Sequence, residues 1–134
     1  MKIFEDMKGS WGDRKVNFVD ENNVFVGYEM IQQCCEHAGW FIADEISEDT
    51  ITQSEVSEFQ GWVFDVEFFK KIERKEEVER WEKGKLNDDG EMVIFRLVKG
   101  DQEKFLHLFN CHNGFYYHGF EFVVNGEEKR SDVL

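Results

Sequence analysis

Apolar and polar residues alternate along several short segments of the chain, a period of two that is typical of half-buried β-strands. The segment KVNFVDENNVFVGYEM predicts a β-hairpin, because alternating residues before Asp20 and after Asn23 flank a run of turn-forming side chains. Further strands are predicted at 39–42, 62–68, 92–98, 104–112 and 115–124, with turns at 87–90, 100–101 and 125–126 and a charged tail after the last turn.

The Asn-Gly pair at 113–114 is the strongest short hairpin signal in the chain. A two-residue turn there would set Phe109 opposite His118 and His107 opposite Phe120. Both faces of such a hairpin would be largely apolar, so we expect it to be central and covered on both sides.

Helix is favoured only at 70–83, where strong helix formers carry opposite charges at helical spacing and Gly84 follows as a C-cap. The polar stretch 44–58 reads as a connection with one helical turn after Thr52. A chain of 134 residues is long enough for one core. The predicted fold is therefore a β-rich α+β class, a single domain over 1–134 with a mainly antiparallel sheet and one or two short helices.

The formal net charge is −13, and the charged residues are unevenly distributed along the chain. The stretch 16–69 holds 12 Asp or Glu and no Lys or Arg. Such a segment would repel phosphates, which argues against nucleic acid and suits either a basic protein partner or solubility alone. The predicted partner-binding acidic surface comprises Asp44, Glu45, Glu48, Asp49, Glu55 and Glu58.

The sequence contains none of the targeting or cofactor-binding motifs considered, which argues against several classes of protein. The N-terminal sequence has no apolar signal-peptide core, and no apolar run approaches the roughly 20 residues that span a bilayer. Three cysteines, two of them adjacent, do not form a disulfide framework, so we expect free thiols and a cytoplasmic location. Neither a calcium loop nor a phosphate-binding glycine loop is present, and no cofactor is expected.

Cysteines and histidines concentrate in two patches, which raises the question of a metal site. In the predicted hairpin His118 lies diagonal to both His107 and Cys111. The last two are four residues apart on one strand, roughly 13 Å, so one zinc could not bind all three without a bulge. The alternative is that these residues are buried core cysteines and hydrogen-bonded histidines. The candidate metal ligands are His107, Cys111, His118, Cys35 and His37.

Nucleophilic catalysis needs a thiolate beside an imidazole, and Cys111 or Cys35 could pair with His118, His112 or His37. The side chains of adjacent residues such as Cys111 and His112 point to opposite faces of a strand, however. No cysteine-enzyme signature or G-x-S-x-G motif is present. The sequence leaves enzymatic activity open and favours its absence.

The patches CCEHAGW at 34–40 and NCHNGFYYHGF at 110–120 resemble a family of small uncharacterised proteins of bacteria and their phages. The resemblance covers roughly 15–45 and 90–122, with Phe115 where tyrosine is expected. It implies a cytoplasmic protein, often carried by a mobile element, and implies no activity.

Three function hypotheses follow from these patterns. The leading one is a non-enzymatic binding module that presents an acidic surface within 20–58 to a basic protein, as a phage-type inhibitor, an immunity-like protein or a mimic of DNA charge would. The rival is a metal- or cysteine-dependent enzyme that uses the Cys/His cluster. The third is a structural module or homodimer that covers its sheet edges and surplus aromatics.

Overall fold

A computed structural model describes residues 1–8, 13–30, 37–46, 59–73, 90–111 and 118–134. Strands in these residues form two five-stranded antiparallel sheets. Within these ranges there is no helix, and therefore none long and apolar enough to cross a membrane. The strands are β1 (Lys2–Lys8), β2 (Asp13–Val19), β3 (Val24–Glu29), β4 (His37–Ala43), β5 (Val63–Phe64), β6 (Lys70–Glu73), β7 (Glu91–Lys99), β8 (Gln102–Cys111), β9 (Gly119–Val124) and β10 (Glu127–Val133).

The first sheet has the strand order β1-β2-β3-β9-β10. Its β2–β3 hairpin confirms the prediction made from the alternating segment, and the turn is held by one buried carboxylate. Asp20 accepts hydrogen bonds from the backbone N–H groups of Asn22 and Val24 and, at 2.8 Å, from that of Phe64 in β5. Asn23 adopts a φ of 59°, a left-handed conformation that asparagine tolerates better than most residues. One aspartate therefore closes the turn and ties it to the second sheet.

The second sheet has the order β4-β8-β7, and both β5 and β6 pair with β7. The pairs run from Val63 opposite Val98 to Glu73 opposite Glu91, so the two short strands follow one another along β7. The β7–β8 hairpin turns at Gly100, which has a φ of 59°. The strands predicted at 39–42 and 92–98 are confirmed here, as is the described part, 104–111, of the strand predicted at 104–112, whereas only two residues of 62–68 form a strand.

The core lies between the two sheets and is strongly aromatic. Phe95 on β7 contacts the rings of Phe120 and Phe122 on β9, with centroid distances of 6.3 and 5.2 Å. Tyr28 on β3 also crosses the gap, and its hydroxyl donates to the backbone carbonyl of Phe109 on β8 at 2.7 Å. Alternate residues of each strand point into this layer, as the period of two requires. The buried core residues include Val16, Phe18, Val24, Val26, Ile42, Phe64, Val93, Leu97, Leu106 and Leu108.

The second sheet is also buried on the face that points away from the first sheet. Phe41, Met92, Ile94 and Phe109 form a separate apolar cluster there, and none of them is more than 2% exposed. The two faces of β8 are therefore both covered, which confirms that this strand is central.

The predicted pairing of β8 with the following strand is wrong, because β8 and β9 belong to different sheets. β9 pairs with β3 and β10, and β8 pairs with β4 and β7. The physical reason is visible in their burial patterns. β8 is apolar on both faces and suits a doubly covered sheet, whereas β9 alternates buried Phe120 and Phe122 with half-buried Gly119 and Glu121, which suits a sheet with one wet face. The Asn-Gly pair at 113–114 lies outside the described residues.

The helix predicted at 70–83 is not observed where the chain is described. Lys70–Glu73 instead forms β6, where Ile72 packs against the outer cluster of the second sheet. Burial of this residue against a sheet overrides the local helix propensity. Residues 74–83, and the helical turn predicted after Thr52, lie outside the described residues. The charged tail predicted after the last turn is exposed and forms the edge strand β10, a strand that the sequence did not predict.

Candidate functional site

A groove on the solvent-facing side of the first sheet gathers charged side chains from four strands. Its volume is about 320 Å³, and we call it the acidic groove. Strand registers explain why these residues meet: Gly27 on β3 lies opposite Glu121 on β9, which in turn lies opposite Ser131 on β10. The groove is lined by Lys15, Gly27, Glu29, Gly119, Phe120, Glu121, Glu128, Ser131, Asp132 and Val133.

Two glycines line the bottom of the acidic groove. Gly27 is buried beneath the stem of Lys15 and the ring of Phe25, whereas Gly119 on the neighbouring strand is half-buried, and neither has a side chain that would fill the groove. The N–H of Gly119 donates to Glu29 Oε2 at 3.3 Å, which holds this carboxylate across the end of β9. The pairing of β3 with β9 therefore places the Glu29 carboxylate in the lining of the acidic groove.

Lys15 supplies the positive charge of the acidic groove. Its Nζ lies 2.5 Å from Glu121 Oε1 and 5.4 Å from the centre of the Phe25 ring. Because β3 separates β2 from β9 in the sheet, the lysine stem must pass over β3 to make this pair. It passes at Gly27, where an added Cβ would lie only 2.6 Å from Lys15 Cε.

Carboxylates outnumber basic groups in the lining of the acidic groove, which holds Glu29, Glu121, Glu128 and Asp132 beside one lysine, and Asp132 also pairs with Lys71 at 3.1 Å. The backbone N–H of Val133 donates to Asp132 Oδ1 at 2.8 Å and, with the nearby Lys71 ammonium, lowers the pKa of that carboxyl group. Asp132 is therefore ionised at neutral pH.

The acidic surface predicted from the sequence is described only at its first two residues. Asp44 accepts a hydrogen bond from Lys104 Nζ at 2.6 Å, and Glu45 is exposed. Lys104 Nζ also lies 5.6 Å from the Trp62 ring, so this pair borders the core. The remaining members, Glu48, Asp49, Glu55 and Glu58, lie outside the described residues.

His107 is buried in the outer cluster of the second sheet. Its ring stacks on Phe41 at a centroid distance of 4.1 Å and an angle of 10°, and Nδ1 lies 3.0 Å from the carbonyl oxygen of Phe105. Burial lowers its pKa from 6.5 to about 4, although hydrogen bonds to two backbone carbonyls oppose the shift. The ring is neutral at pH 7 and serves as a hydrogen-bonded part of the apolar cluster.

His118 lies against the first sheet, because it directly precedes β9, which pairs with β3 and β10. His107 lies on β8, which belongs to the second sheet. The Nδ1 atom of His118 lies 2.7 Å from the carbonyl oxygen of Glu29, and its ring centre lies 6.1 Å from that of Tyr28. Its backbone exchanges two hydrogen bonds with Leu134. The diagonal contact with His107 that a β8–β9 hairpin would produce is therefore absent.

The pairing of β4 with β8 sets the backbones of His37 and Cys111 directly opposite one another. Their side chains, like the whole of Cys35 and His112, lie outside the description. Among the residues that the structure does describe, no group of three or more His, Cys, Asp or Glu is arranged to hold a metal ion. The metal-ligand prediction for the full set stays a prediction.

Sequence reasoning missed the acidic groove, although two signals for it are present. Gly27 interrupts an otherwise alternating strand, which often marks a close approach by another group. Glu121 stands between two phenylalanines, a pattern that places it on the wet face of a strand. What could not be seen is the pairing of β3 with β9, which are distant in sequence.

Comparison of the chain with models of protein families, with curated proteins and with solved structures found no match.

Proposed function

We propose that this chain is a small, non-enzymatic protein-binding module whose acidic surface takes a basic protein partner. The observation that carries the proposal is the acidic groove, a depression lined by four carboxylates and one lysine, whose ammonium group pairs with Glu121. A cation-rich protein surface is the complement of such a site.

The distribution of the remaining charge supports the same proposal. In the part of the chain that the structure describes, six basic side chains lie within 4.0 Å of a carboxylate of the same chain, so their charges are largely compensated. The Asp and Glu side chains that outnumber Lys and Arg, and so produce the net charge of −13, therefore remain available to attract an outside partner. A field of this sign accelerates encounter with a cationic protein and weakens as salt rises. The six ion pairs are Arg14–Glu5, Lys15–Glu121, Lys71–Asp132, Arg96–Asp65, Lys104–Asp44 and Lys129–Glu67.

The finer form of the proposal is a cytoplasmic inhibitor or immunity-like protein of bacterial or phage type that occupies the basic surface of its target. If that surface is a DNA-binding site, the module mimics the charge of DNA. Duplex DNA should then compete with it for the target, because phosphates and carboxylates would seek the same Lys and Arg side chains.

Affinity capture at low ionic strength tests the proposal. Immobilised protein is expected to retain basic proteins, identified by mass spectrometry, that elute as salt is raised. A variant with Glu29, Glu121 and Glu128 changed to Gln should lose them. Asp44→Asn with Glu45→Gln is the parallel arm, since it tests the acidic surface predicted from the sequence. Retention of the same proteins by both variants, or of none by the wild type, would contradict the proposal.

The rival function, a metal- or cysteine-dependent enzyme, keeps one observation in its favour. The β4–β8 register sets His37 opposite Cys111, and directly opposed residues in an antiparallel pair have Cβ atoms about 5 Å apart. Elemental analysis of the purified protein and its rate of alkylation test this candidate. Stoichiometric zinc or iron, or a thiol far more reactive than free cysteine, would favour it over the binding module.

A further inference from the structure

The Lys15 ammonium occupies a site built from a carboxylate and an aromatic ring. Glu121 Oε1 lies 2.5 Å from Nζ, and the Phe25 ring centre lies 5.4 Å from it. A charge-assisted hydrogen bond and a ring face are the two groups by which proteins commonly recognise alkylammonium ions. We call the space bounded by Phe25, Gly27 and Glu121 the ammonium slot.

The ammonium slot admits an aliphatic stem because residue 27 is glycine. A Cβ at this position would lie 2.6 Å from Lys15 Cε and 2.8 Å from Phe25 Cζ, closer than real Cβ contacts. The missing side chain therefore leaves a passage over β3 that is one methylene chain wide. This shape fits the stem of a lysine better than the broad planar head of an arginine.

The ammonium slot lies on a sheet face that remains open to solvent. The side chains of Lys15 and Glu121 are each 35% exposed. On the two edge strands of the same sheet, Phe4 and Val133 are 44% and 46% exposed, and these are large apolar side chains. Acidic and apolar groups thus share one accessible surface, the combination found in protein-binding patches.

On the basis of the proposed function, we infer that Lys15 fills the ammonium slot only in the free protein and that a lysine side chain of the basic partner displaces it. The incoming ammonium takes over Glu121 and the Phe25 ring, and the Lys15 head turns to solvent. Because one ammonium replaces another, the carboxylate never loses its partner. Glu29 and Glu128 attract the neighbouring positive charges of the partner.

Charge favours a basic partner over a second copy of the chain as the occupant of the ammonium slot. Two copies each carry a net charge of −13, and a symmetric dimer through this face would set its carboxylates against their own counterparts. Nucleic acid is repelled for the same reason. Strand addition at the edge is opposed by β10, whose residues are all exposed, mostly charged and interrupted by a bulge at Lys129.

Peptide binding to a Lys15→Gln variant tests the inference. The probe is a fluorescent octalysine peptide, followed by anisotropy at low ionic strength. Removal of the internal competitor should tighten binding about two- to fivefold beyond the effect of Lys99→Gln, since an exposed ion pair contributes that much. Lys99 is exposed at the end of β7, so its variant makes the same change in net charge away from the slot.

Removal of the slot carboxylate should act in the opposite direction. Glu121→Gln is expected to weaken octalysine binding at least about threefold relative to Asp101→Asn, an equal charge change in the exposed β7–β8 turn. If Lys15→Gln and Glu121→Gln merely match their controls while the wild type binds the peptide, the slot inference is wrong and the proposed function stands. If the wild type does not bind octalysine, both are wrong.

Discussion

The two sheets differ in what covers them, and this difference separates stability from recognition. The second sheet is buried on both faces, and even its polar His107 is fully enclosed. The first sheet is buried on the face toward the core, whereas its other face keeps exposed residues such as Phe4 and Val133 and carries the acidic groove and the ammonium slot. Changes at residues between the sheets should therefore alter folding, whereas changes on the open face should alter binding.

The largest effect is expected from Phe95→Ala. This ring is 1% exposed and packs against Phe120 and Phe122 across the gap between the sheets and against Phe64 and Phe69 on its own side. Its truncation should lower the free energy of unfolding by about 3–5 kcal/mol, measured by urea denaturation.

Phe4→Ala is the matched control for this core substitution, since it removes the same side chain from the open face. Its ring is 44% exposed, so the expected loss is about 0.5 kcal/mol. Equal losses in the free energy of unfolding from the two substitutions would show that the open face stabilises the fold as much as the core between the sheets does.

Acid should weaken the second sheet through His107. Its pKa falls from 6.5 to about 4 on folding, so between these values the unfolded chain binds a proton that the folded chain does not. Stability is complete above the unfolded pKa, is lost as pH falls from about 6.5 to about 4, and then levels off. The full loss is roughly 3 kcal/mol.

Urea denaturation between pH 7 and about pH 4 measures this loss, with His107→Gln as the comparison because it removes the titrating group and keeps a polar side chain. The carboxylates titrate in both proteins, so their contribution cancels in the difference. Parallel pH profiles for the two proteins would show that His107 is not the source of acid sensitivity.

Tyr28→Phe should have a smaller effect on the junction of the two sheets. The substitution removes the 2.7 Å hydrogen bond from the tyrosine hydroxyl to the carbonyl oxygen of Phe109 and leaves the ring packing in place. A loss of about 1 kcal/mol in the free energy of unfolding is expected. An unchanged denaturation midpoint would mean that apolar contact alone joins the sheets at this point.

The smallest effect on stability is expected at the open face. Lys15→Gln breaks an ion pair whose two side chains are each 35% exposed, so the free energy of unfolding should change by less than about 1 kcal/mol. The same variant is expected to change peptide affinity clearly. A loss of stability as large as that of Phe95→Ala would assign the ammonium slot a structural role.

Local patterns were enough to predict much of the secondary structure. Alternation around Asp20 identified the β2–β3 hairpin, and Gly100 marked the β7–β8 turn. These features were accessible because strand period and turn chemistry are properties of neighbouring residues. The stretch 70–73 was predicted incorrectly because its helix propensity is local and its burial against the second sheet is not.

The candidate site could not be predicted in the same way. A tight turn between His107 and His118 would make their strands neighbours and bring the two side chains together, yet they contact different sheets. Conversely, Lys15 and Glu121 meet although 106 positions separate them. Proximity across strands depends on pairing order, which no short segment encodes by itself.

The order of residues alone predicts a protein that is rich in antiparallel strands, strongly acidic overall and rich in aromatic side chains, because composition and period are read directly from it. Which strands share a sheet, and which sheet keeps an exposed face, is seen only in the folded structure. The reason is that β8 can bury both of its faces and β9 only one, so each strand is placed where its surface is matched. That placement brings Lys15, Gly27 and Glu121 together, and with them the site proposed for recognition of a basic partner.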